Sequence, residues 1–453
     1  MTRLISGLVV AALLAIAPPL GAQDATTPGT ALVLDVDGAI GPATAEYIHN
    51  GLKEAGRRQA KVVVLQLDTP GGLSSSMRDI IRDILESPIP VITYVSPGGA
   101  RAASAGTYIA YASHVAAMAP STHLGAATPV QLGGGGLLPG GKKDDEKKDN
   151  KAPADASEAK AVNDAVAYIR SLAQLRHRNV EWAEKAVREA ATLTATEARD
   201  QKVVDLIADN LNDLLQNADG RTVQVDHRDV TLHTRGLATE TFEPNWRTRL
   251  LATITNPNIA YILLLAGIYG LLFEFWSPGA VVPGVIGGIS LLVGLYALNL
   301  LPINYAGIGL LLLGVALMTA EAFMPSFGIV GLGGIVAFVI GSLFLFEGDV
   351  PGFALSWKVV ATATVLSIGL LIAAVTLIWR AHQRKVTVGD PALIGSTGRV
   401  LSWNGDEGDV HVHGERWHAR SSAALAPGQF VRVVERRQLT LFIEPDAAGP
   451  SQS

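Results

Sequence analysis

The sequence predicts an α/β domain with a mostly parallel sheet, then a multi-span transmembrane helical region, then a small all-β domain. Three observations carry that prediction. Short apolar runs alternate with helical patterns between Ala31 and Leu215, the rhythm of βαβ units. From Ile259 to Trp379, apolar stretches close to the length of a spanning helix follow one another,. Between 388 and 445, polar and apolar residues alternate in short segments divided by glycines, as in a small barrel.

At 453 residues the chain is too long for a single ordinary domain,. A hydrophobic content of 49% and a mean hydropathy of +0.30 exceed those of a soluble globular chain,. The net charge of −5 and the lack of a basic, aromatic-interleaved stripe argue against nucleic acid as a partner,. With no cysteine, disulfides and thiolate metal sites are excluded,.

Residues 1–22 combine a basic start, an apolar run from Leu4 to Leu20 and small residues up to Ala22. This is the pattern of a cleaved secretory signal peptide, with an uncleaved anchor helix as the alternative. Either one places the α/β domain, 23–240, outside the cytoplasm. Its first strand is Ala31 to Val36, and a helix from Gly41 to Gly56 follows with Pro42 in its first turn,. A strand at 62–67, a helix at 75–86, a strand at 90–95 and a helix at 104–111 come next, with short strands at 112–119 and 122–126. Residues 131–157 break the rhythm: four glycines at 133–136 precede a mixed charge run, Lys142 to Asp149. Such an insertion cannot bury a core and reads as a flexible, solvated loop. Its interleaved acids weaken the case for docking on anionic lipid. Lying just before Lys160, it could act as a flap over a site. Lys160 then opens an amphipathic helix through Val162, Ala165, Val166 and Ile169. Helices at 181–189 and 196–200, a strand–helix segment at 203–215 and a hairpin within 221–242 complete the domain, and Trp246 reads as an interfacial aromatic,.

The membrane region, 258–380, divides into about five helices at 258–275, 281–302, 305–323, 327–346 and 357–379, the first being the shortest,. Five crossings from an external start bring the C-terminus to the cytoplasm. Arg380, Arg384 and Lys385 agree with that, as does an external Glu347-Gly348-Asp349 loop, while Arg247 and Arg249 argue the other way,. Glu274 and Glu321 stand at span edges, where snorkelling to the interface is expected,. In the last domain, 388–445, His411, His413 and His418 fit a solvated face better than any standard metal-ligand spacing,.

The chemistry-bearing stretches lie in the α/β domain. A buried-strand run ends in Thr69-Pro70-Gly71-Gly72, a turn that exposes backbone N–H groups,. A second strand leads through Pro97-Gly98-Gly99 into a small-residue helical pattern with Ser104 at its start. A hydroxyl at a helix N-terminus is well placed to become an alkoxide. The plainer reading is that Ala-Ser-Ala-Gly packs a helix tightly on a sheet.

The segments Leu67 to Gly72, Ala102 to Thr107, Met118 to Pro120, and Lys160 with Ala167 to Ala173 resemble the ClpP/crotonase superfamily. Within it they are most similar to the membrane-bound serine protease of the NfeD (nodulation formation efficiency D) family, and the resemblance runs nearly the whole chain. It implies a ClpP/crotonase-like protease domain, an OB-fold-like C-terminal domain, and peptide-bond hydrolysis by a Ser-Lys dyad of Ser104 and Lys160. Serine is activated when a base takes its proton, and lysine can do so only when neutral, below its ordinary pKa of about 10.4. Backbone N–H groups of Gly71 or Gly72, with that of Ala105, would hold the oxyanion. Such chemistry needs no cofactor.

The ClpP branch uses a histidine base instead. Its position corresponds here to Ala127 in Ala126-Ala127-Thr128-Pro129, with His114 and His123 the nearest imidazoles in sequence. Lys151 is the alternative lysine. The resemblance further implies a multi-pass protein of the inner membrane and self-association. It also implies stomatin-like (SPFH/prohibitin) membrane proteins as substrate or partner, cut within hydrophobic segments. A non-catalytic scaffold for a stomatin-type complex is the alternative function.

Overall fold

The computed structural model describes residues 29–129, 152–276, 279, 281–324, 326–346, 350–382 and 393–446. The signal peptide, most of the insertion, Lys151, the Glu347–Asp349 loop, Arg384 and Lys385 lie outside them. The chain divides into two units, one built from residues up to 318 with 328–367, the other from 319–327 with 368–453.

The first unit contains the α/β domain. Its main sheet uses β1 (Thr30–Asp37), β2 (Val62–Asp68), β3 (Val91–Val95), β5 (Val115–Met118), β8 (Leu206–Ile207) and β11 (Ala238–Thr241) in the order β11-β1-β2-β3-β5-β8. Every neighbouring pair is parallel. Both faces of β1, β2, β3 and β5 are covered, which is why these four read as nearly unbroken apolar runs, whereas the edge strand β11 is exposed,. Leu32, Leu34, Val63 and Leu65 enter one core, and Ala31, Val33, Val62 and Val64 the other. The first core is roofed by α1 (Pro42–Arg58), α2 (Ser74–Glu86), α3 (Ala105–Ala112), α4 (Ala152–Leu175) and α5 (Val180–Arg188). The second is covered by α7 (Leu211–Ala218) and Leu232 beside the β9–β10 hairpin (Thr222–Val225, Arg228–Thr231). A small second sheet joins β4 (Arg101–Ala103), β6 (His123–Gly125) and β7 (Thr192–Thr194), the last leading into α6 (Ala195–Asp200).

Several expectations change. The helix bearing Lys160 starts at Ala152, so Lys160 lies within it rather than opening it, and residues 152–157 of the expected loop are helical. Strands β4 and β7, three residues each, have too little sequence for periodicity to register,. The end of the 221–242 segment is no hairpin arm. It returns as β11 to the edge of the main sheet, where Tyr47 locks it: its hydroxyl donates to Phe242 O at 2.6 Å and its ring stacks on Phe242.

Helix α8 (Trp246–Ile254), N-capped by the Asn245 side chain, packs on α1 and leads to the apolar helices. Four described helices are long and apolar enough to cross a membrane: α9 (Pro257–Trp276), α10 (Val281–Asn299), α11 (Tyr305–Phe323) and α13 (Trp357–His382). The fourth in order, α12 (Ile329–Leu343), has 15 residues and is the shortest, in place of the first. Glycines set the α9–α10 distance, since a Cβ on Gly267 would come within 2.6 Å of Leu291 Cα,. Three connections lie at one end of this bundle, because Asn304 N–H donates to Leu345 O and Asn258 Oδ1 accepts from Ser356 N–H. Of the two span-edge acids, Glu274 keeps a buried Oε2 with no hydrogen-bond partner among the described residues.

In the second unit Glu321 is buried, not snorkelling, and accepts from the Ser326 N–H and hydroxyl. Its largest part is a closed five-stranded barrel in the order β12-β13-β14-β16-β15 (Thr397–Asn404, Glu407–Val412, Glu415–Arg420, Thr440–Pro445, Phe430–Arg437) around Val410, Val431 and Leu441. His418 faces Asp409 and Glu407 at 3.6 and 3.8 Å. Among the described residues no cluster of three or more metal-ligating side chains occurs.

Candidate active site

The end of β2 and the strand β4 meet in a way that brings two distant segments together. Thr69 N–H donates to Arg101 O and Ala103 N–H donates to Thr69 O, so the Thr69-Pro70-Gly71-Gly72 turn lies alongside β4. The Thr69 hydroxyl closes this turn on itself, accepting from Gly71 N–H at 3.0 Å and lying 3.1 Å from Gly71 O. Gly71, at φ +118°, then stands against the serine: a Cβ there would be 2.7 Å from Ser104 Cβ and 3.3 Å from its Oγ. Gly72 pairs with Ile40 in the β1–α1 turn, so tightly that a Cβ would overlap the Ile40 carbonyl oxygen.

Ser104 occupies the turn from β4 into α3 at φ +50° and ψ −113°. A non-glycine residue holds such a conformation at a cost of about 1–3 kcal/mol, so the surroundings must enforce it. Ser104 N–H donates to Gly125 O at 2.9 Å, and the buried Thr107 hydroxyl lies 2.8 Å from Ala102 O and accepts from Gly125 N–H. Gly106 lets α3 approach closely, since a Cβ there would be 2.6 Å from Thr69 Cγ2. The far end of α3 is equally fixed. Arg178 donates to the carbonyls of Ala110, Tyr111 and Ser113, and Arg176 to that of Ala112. Burial draws the Arg176 guanidinium down to about 10, which leaves it charged at neutral pH. Cations at a helix C-terminus are favourable, and α3 presents its N-terminal N–H groups beside Ser104.

Ser104, Gly72 and Ala105 line a cleft of about 360 Å³. The Ser104 hydroxyl has no hydrogen-bond partner among the described residues, and neither Gly72 N–H nor Ala105 N–H is spent in the turn, loop and cap contacts. The cleft is apolar along Leu73, Met77, Ala127, Pro129 and Ala165. Its aromatic part is Tyr108 stacked on Tyr168, with the Arg78 guanidinium 4.5 Å from the Tyr168 ring centre. Arg78 also pairs with Asp164 at 2.6 Å. Burial pushes both phenols up, so neither offers a phenolate base at neutral pH.

The structure unites Ser104, Gly71, Gly72 and Ala105. It does not bring Lys160 to them. Lys160 is exposed, lines no part of the cleft, and has no hydrogen-bond or ion-pair partner among the described residues. Its neighbours Ala161, Asp164, Ala165 and Tyr168 on α4 do line it, which puts Lys160 at the flank of the facing helix surface,. No histidine lines the cleft, and Ala127 does. His114, just before β5, is buried against the start of β3, its Nδ1 accepting from Val91 N–H, and desolvation pulls it down to about 3. His123 is exposed on β6. Sequence reasoning missed Arg178 and the Arg78–Asp164 pair, because their roles depend on contacts across 68 and 86 residues, and it read Thr69 as part of a turn without the bond of its hydroxyl to Gly71 N–H.

Three family models match this chain: "NfeD1b, N-terminal domain" over 30–228, "NfeD integral membrane domain" over 258–379 and "NfeD-like C-terminal, partner-binding domain" over 390–445. Over 454 residues the chain is 34% identical to the membrane-bound protease PH1510 of Pyrococcus horikoshii, covering 98% of each. It is 30% identical over 346 residues to membrane protein NfeD1b of Bacillus subtilis, 76% of this chain and 72% of that one. Among solved structures it is similar to a lysine-to-alanine variant of the 1510-N membrane-bound stomatin-specific protease in complex with a substrate peptide. That likeness is 33% identical, with a TM-score of 0.42, and covers 50% of this chain and 98% of that one.

Proposed function

The chain belongs to the NfeD family of membrane-bound proteases, and from that premise we propose that it is a serine endopeptidase cutting hydrophobic segments of stomatin-like membrane proteins. Ser104 Oγ attacks the scissile carbonyl carbon while Lys160 Nζ, uncharged when it acts, takes the hydroxyl proton. The negative oxygen of the tetrahedral intermediate is held by Gly72 N–H and Ala105 N–H. Gly71 gives the serine room, its own N–H being engaged by Thr69. Lys160 returns the proton to the departing amine, and water then attacks the acyl-serine by the same route in reverse.

The observation that carries this reading is the strained Ser104 at the N-terminus of α3, inside an apolar cleft beside two unspent backbone donors. The lysine lies one position from a cleft-lining residue, so rotation of its four-carbon stem around the flank of α4 is the motion the mechanism requires. The relative named as stomatin-specific supports the substrate class, as does its lysine variant solved with a substrate peptide. By the same reading the protease domain is extracytoplasmic on an inner membrane, the C-terminal barrel binds the partner, and the chain self-associates.

The exposed position of Lys160 favours one competing reading, a non-catalytic scaffold for a stomatin-type complex. The purified full chain tested on apolar peptides decides between them. The protease reading expects turnover that Ser104→Ala abolishes and Lys160→Ala reduces by about 1,000-fold or more. Equal turnover by Ser104→Ala removes the nucleophile, and no turnover with intact partner binding establishes the scaffold.

A further inference from the structure

One wall of the Ser104 cleft does not come from the α/β domain. Val350 and Pro351, in the connection from α12 to α13, line it together with Ser104, Gly72 and Tyr108. This connection is seated on the turn between β1 and α1. Phe353 is 5% exposed, and a Cβ on Gly41 would come within 2.9 Å of its ring. Gly352, at φ +85°, lies so close to Ala39 that a Cβ would stand 2.5 Å from the alanine methyl. The same turn pairs Ile40 with Gly72. A short path therefore runs from the helical membrane region, through Phe353 and Ile40, to one of the two backbone donors beside Ser104.

Resting on the protease reading, we propose that Val350 to Phe353 is a specificity element, the apolar wall against which the substrate segment is seated. The bound segment then touches α/β domain and membrane region at once. It lies at the end of the helix bundle where three interhelical connections gather, so the peptide class taken is an apolar stretch emerging at a membrane surface. An isolated α/β domain would retain Ser104 and lose this wall, becoming less selective for apolar residues.

The chain has no cysteine, so a single introduced thiol reports on the wall. The experiment uses the full chain in lipid nanodiscs with Ser104→Ala to prevent turnover, Pro351→Cys as reporter, and a fluorescent Leu/Val/Ala-rich peptide as probe. Peptide at about nine times its dissociation constant should slow maleimide labelling of Pro351→Cys roughly tenfold, because only the unoccupied fraction reacts. Leu439→Cys, exposed on the barrel, serves as the unprotected control. Val350→Asp, checked for folding by its melting temperature, should weaken peptide binding by a similar factor. Undiminished labelling with peptide bound, or unchanged affinity in Val350→Asp, overturns the wall, as does a parent chain that binds no peptide. The protease reading is judged separately, by reaction of Ser104 with a fluorophosphonate in the unsubstituted chain. If Ser104 stays inert while the peptide still protects position 351, the protease reading falls and the wall stands.

Discussion

The guanidinium of Arg178 meets the carboxylate of Asp205 at 2.6 Å, beneath the C-terminal end of the helix whose other end carries Ser104. Asp205 is held in turn by Ala116 N–H on β5, so the pair ties α3 to the main sheet. Replacing Arg178 by Gln takes the ion-pair partner from the carboxylate and the guanidinium donors from three carbonyls at the end of α3, a change of the kind that costs about 3–5 kcal/mol,. Its measure is the melting temperature of the purified chain, and a fall of under a degree would mean that the pair is dispensable. Asp205→Asn should be milder, because the carboxylate is a quarter exposed.

Ser104 makes stability and activity separable. Its φ of +50° and ψ of −113° match the first central position of a type II′ turn, which glycine favours,. Ser104→Gly should therefore abolish hydrolysis while raising stability by about 1 kcal/mol, whereas Ser104→Ala abolishes hydrolysis without that gain. Identical melting temperatures for the two variants would show that the strain is absent.

Gly71 and Thr69 control the space beside the nucleophile. Gly71→Ala adds a carbon 2.7 Å from Ser104 Cβ at a φ of +118°, so the serine must move. A displacement near 1 Å at a reacting atom costs about 100-fold in kcat. Thr69→Val keeps the shape and removes the hydroxyl that holds Gly71 N–H. It should lower stability by about 1 kcal/mol and activity less severely than Gly71→Ala. Steady-state kinetics on one peptide rank the two, and the reverse order would contradict this arrangement.

His114 gives a pH signature. Its folded value, about 3, lies below the ordinary 6.5, so below 6.5 the unfolded chain binds a proton that the folded chain does not. Stability from the buried neutral ring is fully present above 6.5 and is lost as pH falls from there towards 3. The slope contributed is up to about 1.4 kcal/mol per pH unit. Unfolding curves between pH 7 and 4 should be flatter for His114→Leu than for the parent, though the variant starts lower because Val91 N–H loses its acceptor.

The main sheet was legible because its strands are buried on both faces, which makes Val62 to Leu67 and Val91 to Val95 continuous apolar signals,. Ser104 and the paired glycines were legible as small-residue turns beside those strands. What stayed hidden depends on closure over distance. β4 and β7 are stabilised by partners rather than by pattern. β11 reaches the sheet edge some 200 residues after β1, and its four exposed residues, Ala238 to Thr241, carry no apolar periodicity to mark it. The position of Lys160 turned on where its helix begins, and the start signals upstream of it, Pro153 and the Asp155 to Glu158 spacing, read as part of the charged insertion,. Val350 and Pro351 fall in the gap between the spans drawn at 327–346 and 357–379, and nothing in their identities points to a cleft built around residue 104.

Helix α12 has 15 residues, about 22 Å of rise, against a hydrocarbon layer of about 30 Å. If α12 spans the bilayer, as the five-helix division expects, the bilayer pinches inward around it or the segment attached to it sinks. That segment holds Pro351, so under the wall proposed above acyl-chain length becomes a variable of peptide selection. Catalytic constants obtained in micelles and in lipids of differing chain length describe different geometries of one molecule.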